Sequence, residues 1–244
     1  MMKRVSFHGF FIAITLCLSA RGWAQTHLRD SVNNRSLALY AVTPAFATGA
    51  PSALNGVLVA NGYPQLPRGN FSWGLGSHYR WNRFVLGIEA MVSYQTRQRP
   101  DLGSELVRMA VTSNLYSAFH VYRRPGLSLY PYLALSATDA RLFVSKPTAP
   151  SSLSGLLATP GNTVQLNHFS GGFLFGFGID LQDQRRKNSV FESIRIGYRI
   201  SPESAYPWES SFTTFSDAPA DSFNYWFFQL NLGTAWHWSR ARRK

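Results

Sequence analysis

The sequence lacks the features that would point to several common classes of protein. It contains one cysteine, Cys17, in 244 residues. No internal stretch approaches the ~20 consecutive apolar residues that a transmembrane helix needs, although 45% of the residues are hydrophobic and 15% are aromatic. A helical membrane span is therefore excluded outside the N-terminus. The chain also shows no repeat and no boundary that would predict a second domain.

Acidic residues are scarce as well. The chain has 24 Lys and Arg residues against 12 Asp and Glu residues, which gives a formal net charge of +12. This excess does not predict nucleic-acid binding, because no basic stripe interleaved with exposed aromatic residues runs along the chain.

The N-terminus has the pattern of a secretory signal peptide. Lys3 and Arg4 precede an apolar run at 10–18, and small residues stand at Gly22 and Ala24. The pattern predicts cleavage after Ala24, with a signal peptide at 1–24 and one domain at 25–244. The mature chain would then lose Cys17 and carry no disulfide, although it enters an oxidising compartment. Its charge would fall from +12 to +9 with the loss of three basic residues.

The rest of the chain alternates between apolar and polar residues with a period of two, which is typical of two-faced strands. We predict eight such strands. Their ranges are 35–47, 70–80, 84–95, 105–122, 127–138, 169–182, 190–200 and 223–238.

The composition of the two faces indicates which one points outward. One face carries bulky apolar side chains, whereas the other is rich in Gly, Ser, Arg, Glu and Asp and poor in Lys, as a crowded interior requires. Aromatic residues gather near the strand ends, as interfacial girdles do. They are Phe71, Trp73, Tyr79, Trp81, Phe84, Tyr94, Phe223, Trp236 and Trp238. We therefore predict an all-β fold, a single antiparallel up-and-down transmembrane barrel whose apolar face contacts lipid.

The connections alternate in length, which supports the same interpretation. The first, third, fifth and seventh, at 48–69, 96–104, 139–168 and 201–222, are long or moderately long. The others, around 81–83, 123–126 and 183–189, are short. Long extracellular loops and short periplasmic turns are typical of outer-membrane barrels.

The last strand contains Asn231, Gly233, Trp236 and Trp238 in the order polar-x-Gly-x-x-apolar-x-apolar. This pattern resembles the C-terminal β-signal that the outer-membrane assembly machinery recognises. The segments LSLYPYLALSA, GYRISPESAYPWESSF and FFQLNLG likewise resemble the small eight-stranded outer-membrane β-barrel family of Gram-negative bacteria. That resemblance covers about 35–238 and implies an outer-membrane location. It also implies three partners, namely outer-membrane lipids, the assembly machinery and an unknown extracellular ligand.

Charged residues on the inner face should pair or be hydrated, because a lone charge in a narrow lumen is costly. We expect Glu89 to be balanced by at least one of Arg108, Arg195 and Arg199, and Arg108 is the first candidate because it lies on the adjacent strand. An eight-stranded barrel is just wide enough for side chains to fill, so we expect a packed polar lumen, with a narrow ion path as the alternative. The predicted network comprises Glu89, Arg108, Asp180, Arg195 and Arg199.

One short motif raises the possibility of catalysis. His168 and Ser170 share a strand face, as a base and a nucleophile would, and are similar to the His-x-Ser of barrel enzymes that deacylate lipid A. Those motifs continue with Asn where Gly171 stands here, and no acidic residue is placed to orient His168. No spacing predicts a metal site, and no cofactor is expected.

These features favour a non-enzymatic outer-membrane barrel with a structural or surface-interaction role. The alternatives are a lipid-A-modifying barrel enzyme and a soluble periplasmic ligand-binding barrel.

Overall fold

The computed structural model describes residues 35–49, 51–124, 126–146, 163–184, 186–201, 207–210, 215, 218–221 and 223–238. The predicted signal peptide lies outside these residues. Within them the chain forms nine strands and one helix. The strands are β1 (Arg35–Thr48), β2 (Gly69–Trp81), β3 (Phe84–Arg99), β4 (Ser104–Phe119), β5 (Tyr122–Arg124), β6 (Gly126–Ser145), β7 (Thr163–Gln182), β8 (Asn188–Ile200) and β9 (Tyr225–Trp238), and the helix α1 is Ser52–Ala60.

Eight of the strands close into a ring. Each long strand pairs antiparallel with its neighbour in sequence, β4 pairs with β6, and β1 pairs with β9. The predicted all-β antiparallel barrel is therefore confirmed. One end of the barrel contains the first residue of β1 and the short links after β2, β5 and β7. We call it the turn end, and we call the opposite end the loop end.

Two irregularities have local causes. The register of β1 shifts between Val42 and Ala45, where Pro44 lacks the N–H that a ladder needs. The predicted strand at 105–122 ends at Phe119 instead, and of its expected continuation only Tyr122 belongs to a strand, as the first residue of β5. His120 N donates to the Arg83 carbonyl (2.8 Å) and Val121 N donates to Leu129 O (3.0 Å), so the backbone changes partner at this point.

Several loop-end connections differ from the prediction. β3 and β4 continue to Arg99 and from Ser104, so the third connection is a four-residue turn with Gly103 at φ 60°. β6 and β7 also extend, and pair as far as Ser145 with Thr163. The first connection contains α1, which the sequence had not indicated. β9 begins at Tyr225, so Phe223 precedes the strand.

The wall of the barrel has the predicted orientation. Outward side chains are apolar and exposed, such as Leu75 at 71% and Phe177 at 68%, whereas the alternate residues are buried. The described residues contain no helix that is long and apolar enough to cross a bilayer. Two groups of exposed aromatic residues lie near the ends of the outer wall, and β7 adds Phe169, Phe173, Phe175 and Phe177 along its length. The turn-end group is Tyr79, Trp81, Phe84, Trp236 and Trp238, and the loop-end group is Phe71, Trp73, Tyr94 and Trp226.

Inside the wall, tyrosines lie opposite glycines on neighbouring strands. Tyr40 pairs with Gly76, Tyr116 with Gly87, Tyr130 with Gly178 and Tyr132 with Gly176. A Cβ at Gly76, Gly87 or Gly178 would lie 2.4, 2.5 or 2.3 Å from the facing ring. These three glycines therefore provide the space that lets the rings lie against the wall.

Glycine substitutions test this packing. Gly87→Ala would push its Cβ into Tyr116, and overpacking of this kind typically lowers the free energy of unfolding by about 1–3 kcal/mol. Gly171→Ala is the matched control, because no heavy atom lies within 4 Å of its added Cβ. Urea unfolding in lipid vesicles, followed by tryptophan fluorescence, should show a loss only for Gly87→Ala. Equal behaviour of the two variants would show that the ring does not depend on the glycine.

Candidate functional site

The candidate site is the interior of the barrel, where buried side chains lie in successive layers. The layer at the turn end is polar. Arg80 donates to the Ser36 hydroxyl (2.9 Å) and to Gln184 Oε1 (2.9 Å), and its guanidinium lies 3.3 Å from His237 Nδ1. Arg123 donates to the same Gln184 oxygen, and Gln184 Nε2 donates to Ser128 Oγ (2.8 Å). Arg80 and Gln184 are fully buried, so this layer occupies the turn-end mouth.

The middle layer is centred on a buried ion pair. Arg195 on β8 reaches across the lumen and donates from its guanidinium to Glu89 Oε1 on β3. Neutral groups complete the shell of Glu89, because Tyr40 donates to Oε1 (2.8 Å), Gln229 donates to Oε1 (3.0 Å) and Asn114 donates to Oε2 (3.5 Å). Such extra hydrogen bonds are what a buried pair needs to offset its desolvation.

The other side of Arg195 is enclosed by aromatic rings. Its guanidinium carbon lies 4.3 Å from the ring centroid of Tyr116, and the rings of Tyr40, Tyr130 and Tyr132 are at 5.6, 6.0 and 5.8 Å. Arg195 also donates to the hydroxyls of Tyr116 (2.8 Å) and Tyr130 (3.1 Å). A cation–π contact typically contributes from ~0.5 kcal/mol at an exposed site to ~2 kcal/mol when it is desolvated. We call Arg195, Glu89 and these four tyrosines the arginine cage.

A second carboxylate joins the arginine cage from the turn-end side. Tyr130 donates to Asp180 Oδ1 (2.7 Å) and its hydroxyl lies 3.0 Å from Ser193 Oγ. The His120 ring stacks on Tyr130 at 5.2 Å, and its Nε2 is 3.8 Å from Asp180 Oδ2. Asp180 therefore links the middle layer to residues near the turn end.

The layer towards the loop end holds the remaining predicted charges. Arg199 donates to the carbonyls of Phe223 (2.9 Å) and Ser170 (2.9 Å) and to Ser136 Oγ (3.3 Å). Arg108 donates to Gln95 Oε1 (3.3 Å) and lies 5.5 Å over the ring of Phe223. A cavity of about 50 Å³ separates this layer from the middle one, which is room for a water molecule or two.

The loop-end mouth is filled by an apolar cluster instead of a polar one. Helix α1 contributes Leu54 and Leu58, which pack with inward residues of β4 and β6 such as Leu106 and Leu142, and with Trp208. The start of α1 has Pro51 as N-cap and no side-chain cap of its own. Asp221 takes that role from the far end of the chain.

Asp221 accepts hydrogen bonds from three groups. These are the backbone N–H groups of Ala53 (2.9 Å) and Leu54 (3.0 Å) and the indole of Trp208 (3.2 Å). A carboxylate at a helix N-terminus satisfies unpaired donors and interacts favourably with the helix dipole. Phe223, predicted for an aromatic girdle, is 7% exposed and belongs to this cluster, because it precedes β9 and folds over the mouth.

All five predicted lumen charges lie inside the barrel, and Glu89 pairs with Arg195, one of its three expected partners, instead of with the first candidate, Arg108. The register sets Glu89 opposite Asn114 and Gln95 opposite Arg108. Arg108 is thus six residues further along β4 than the neighbour of Glu89, or about 20 Å. The partner of Glu89 is Arg195, which comes from across the lumen.

The two residues of the possible catalytic motif are buried near the loop end. The His168 ring lies 4.9 Å from Trp208 and 4.8 Å from Phe223. Ser170 Oγ lies 2.9 Å from Ser201 Oγ, and Arg199 donates to it (3.2 Å). Both residues are at most 3% exposed, so neither lies on the outer face of the wall. No group of three His, Cys, Asp or Glu side chains in the described ranges could hold a metal ion.

The residues of the terminal pattern divide between the two faces. Asn231 is buried and accepts from Gln229 (2.7 Å), whereas Trp236 and Trp238 are exposed at the turn end. Gly233 lies inward, where a Cβ would be 2.0 Å from the Leu39 carbonyl and 2.5 Å from Tyr40 Cα. Gly233 therefore has a packing role that is independent of any recognition by assembly machinery.

The predicted network omitted several residues that the site requires. Arg80 and His78 alternate with the exposed residues of β2, and Tyr116, Tyr130 and Tyr132 stand on the polar faces of β4 and β6. Their positions in the period-two pattern could have predicted that their side chains point into the barrel. Arg123 lies in the three-residue strand β5 and Gln184 lies in the link after β7, and both segments are too short for alternation to give a signal.

We compared the chain with known families, curated proteins and solved structures. No family model matches the chain, and no curated protein matches it in sequence. Similar solved structures include Ail, the attachment invasion locus protein of Yersinia pestis, at 11% identity over 83% of this chain and 99% of that chain, with a TM-score of 0.45. Neisserial surface protein A matches at 13% identity over 86% and 100%, with a TM-score of 0.36. The outer membrane protease OmpT from Escherichia coli matches at 8% identity over 87% and 99%, with a TM-score of 0.37.

These neighbours include outer-membrane β-barrels of the kind that the sequence resembles. At such identities the likeness concerns the fold alone, and one of the neighbours is a protease.

A double-mutant cycle tests the ion pair of the arginine cage. Glu89→Gln leaves the buried charge of Arg195 without its counterion, and we expect the free energy of unfolding to fall by about 3–5 kcal/mol. Adding Arg195→Gln should restore part of that loss, because no unpaired charge then remains. The measurement is urea unfolding of the refolded barrel.

Arg108→Gln provides the control for this cycle. Its effect should simply add to that of Glu89→Gln, because distant sites without shared partners are nearly additive. A coupling energy for Arg108 equal to that for Arg195 would contradict the assignment of the pair.

Proposed function

We propose that this chain is an integral outer-membrane β-barrel with a lumen closed by its own side chains, and that its role is structural or in surface interaction. The observation that carries the proposal is the distribution of polarity, which is the reverse of that in a soluble barrel. The outer wall is apolar between two aromatic groups, and the interior holds the charges.

The outer wall argues for a lipid environment. Rows of large apolar side chains run directly across neighbouring strands, as in Ile88, Leu115, Leu135 and Phe173, which pair in succession. Each of these side chains is between 47% and 59% exposed. Soluble monomers rarely expose a continuous apolar patch larger than a few hundred Å². A soluble ligand-binding barrel would instead turn its apolar face inward, so the wall favours a membrane protein.

The interior argues against both transport and ligand storage. A polar layer occupies the turn-end mouth, the arginine cage occupies the middle, and α1 with its apolar partners occupies the loop-end mouth. A cavity of about 50 Å³ lies between the middle layer and the layer towards the loop end. An eight-stranded barrel filled in this way supports a scaffold that presents its loop end, and we expect such a lumen not to conduct ions.

The surroundings of Ser170 favour a non-catalytic role. Its hydroxyl is engaged with Ser201 and Arg199, and His168 is packed between two aromatic rings. An acyl chain in the membrane would have to cross the barrel wall to reach either residue. A nucleophile and its base need a shared open position for the reacting atom.

Cysteine labelling tests the location and the orientation together. Leu102→Cys introduces a thiol in the turn between β3 and β4 at the loop end, and Asn188→Cys introduces one at the turn end. An impermeant maleimide added to intact cells should label only the first variant. Permeabilised cells should label both, which controls for folding. Labelling of Asn188→Cys alone in intact cells would show that the turn end faces outward. Labelling of neither variant would contradict an outer-membrane location.

The mass spectrum of lipid A tests the absence of catalysis. Cells that express the protein should have the same lipid A as cells that lack it, because Ser170 and His168 are enclosed. Loss of an acyl chain in expressing cells would contradict this. Recovery of that chain with Ser170→Ala would identify the deacylase alternative as correct.

A further inference from the structure

Basic residues collect at the turn end on the outside of the barrel. The described members are Arg35, Arg83, Arg124, Arg186 and Lys187, which we call the basic rim. The acidic residues described at this end are Asp183, which pairs with Arg186 (3.1 Å), Glu192 on the outer wall, and the buried Asp180. Arg80 and Arg123 of the turn-end layer lie behind the basic rim and add to its positive potential.

The loop end has no comparable excess. Its described exterior carries five basic residues against four acidic ones, and two of the basic residues are in ion pairs, Arg99 with Asp101 (3.0 Å) and Arg141 with Asp139 (3.8 Å). The basic ones are Arg68, Arg97, Arg99, Arg141 and Lys146, and the acidic ones are Asp101, Glu105, Asp139 and Glu209. The two ends of the barrel therefore differ in charge.

The placement of Arg35 indicates what the basic rim contacts. Arg35 is paired with Trp238 on one side and with Trp81 on the other. Leu37 and Leu39, two and four residues later, are exposed on the outer wall, so by the alternation of the strand Arg35 lies on the lipid-facing side. Tryptophan concentrates at the level of the lipid headgroups. An arginine between two such residues extends its guanidinium to the same level, where lipid phosphates are.

The other members of the basic rim lie just beyond this aromatic group. Arg124 lies 5.4 Å over the ring of Tyr122, and both side chains are exposed. Lys187 is exposed, and its carbonyl accepts from His237 N (2.7 Å), which ties its backbone to the end of β9. Arg35 and Arg124 lie in strands, and the other three members lie in short links between strands, so the cations are distributed around the turn end.

From this geometry we infer that the basic rim binds the phosphate groups of anionic phospholipids in the leaflet at the turn end. The inference rests on the proposed membrane insertion. Each cation near an anionic surface strengthens binding by about fivefold, and a guanidinium can bind two phosphate oxygens at once. The turn-end aromatic group and the basic rim thus select lipids by the charge of the headgroup and not by the acyl chain.

Quenching of tryptophan fluorescence by brominated lipids tests the inference, because Trp81 and Trp238 flank Arg35. The protein is refolded into phosphatidylcholine vesicles that contain brominated phosphatidylglycerol or, in parallel, brominated phosphatidylcholine. The wild type should bind phosphatidylglycerol at least fivefold more tightly at about 0.1 M salt, and this preference should disappear at about 1 M salt, where charges are screened within ~3 Å.

Two triple variants separate the basic rim from the net charge of the protein. Arg35→Gln, Arg124→Gln and Lys187→Gln together should reduce the preference to near one. Arg68→Gln, Arg97→Gln and Arg141→Gln remove the same charge from the loop end and should leave the preference intact. Equal quenching of the wild type by both lipids, or equal loss in the two triple variants, would overturn the inference.

Refolding into pure phosphatidylcholine distinguishes this failure from failure of the proposed function. A chain that inserts there without any preference for phosphatidylglycerol remains a membrane barrel without a lipid site. A chain that does not insert into either vesicle refutes the membrane barrel itself. If the basic-rim variant does not fold, the salt dependence of the wild type still decides the inference.

Discussion

The guanidinium of Arg195 lies in the middle of a narrow protein interior, and much of the surrounding structure meets the demands of that one charge. A buried cation is tolerated only with a counterion and with acceptors for its remaining donors. Glu89 supplies the counterion from the opposite wall, and the hydroxyls of Tyr116 and Tyr130 accept from the guanidinium. Three of the four tyrosine rings have room there because Gly76, Gly87 and Gly178 stand opposite them on neighbouring strands. The inner face is therefore rich in glycine because the tyrosine rings on the same face need the space.

The two mouths of the barrel are closed by different chemistry, and the difference follows from the elements available at each end. The turn end has only short links, so its own wall residues and turns must fill it. Arg80, Arg123 and Gln184 reach across the opening with hydrogen bonds. The loop end has long connections, and one of them contains an apolar helix whose N-terminus is satisfied by Asp221. Because inward residues there include Leu106, Leu142 and Val144, the helix is held mainly by apolar burial.

Alternation along each strand predicted the strands and their two faces. The composition of those faces and the alternating lengths of the connections predicted the barrel and which face points inward. Alternation also placed Glu89, Arg108, Asp180, Arg195 and Arg199 inside. It could not predict which of them meet, because contacts across the lumen depend on the register of every strand between them. Adjacent strands therefore gave the wrong partner for Glu89, since β3 and β4 align Asn114 with it and not Arg108. The extension of β3, β4, β6 and β7, the helix α1 and the inward fold of Phe223 lie where period-two patterning weakens or stops.

The central claim is that a network built on Arg195 and Glu89 closes the lumen from wall to wall. Recording in planar bilayers tests it most directly. The refolded wild type should insert and show no steady conductance, because the arginine cage and the layers on either side leave room for only a few water molecules. A stable open channel in the wild type, with a uniform conductance across many insertions, would mean that the interior is hydrated and that the packed lumen described here does not exist in the membrane.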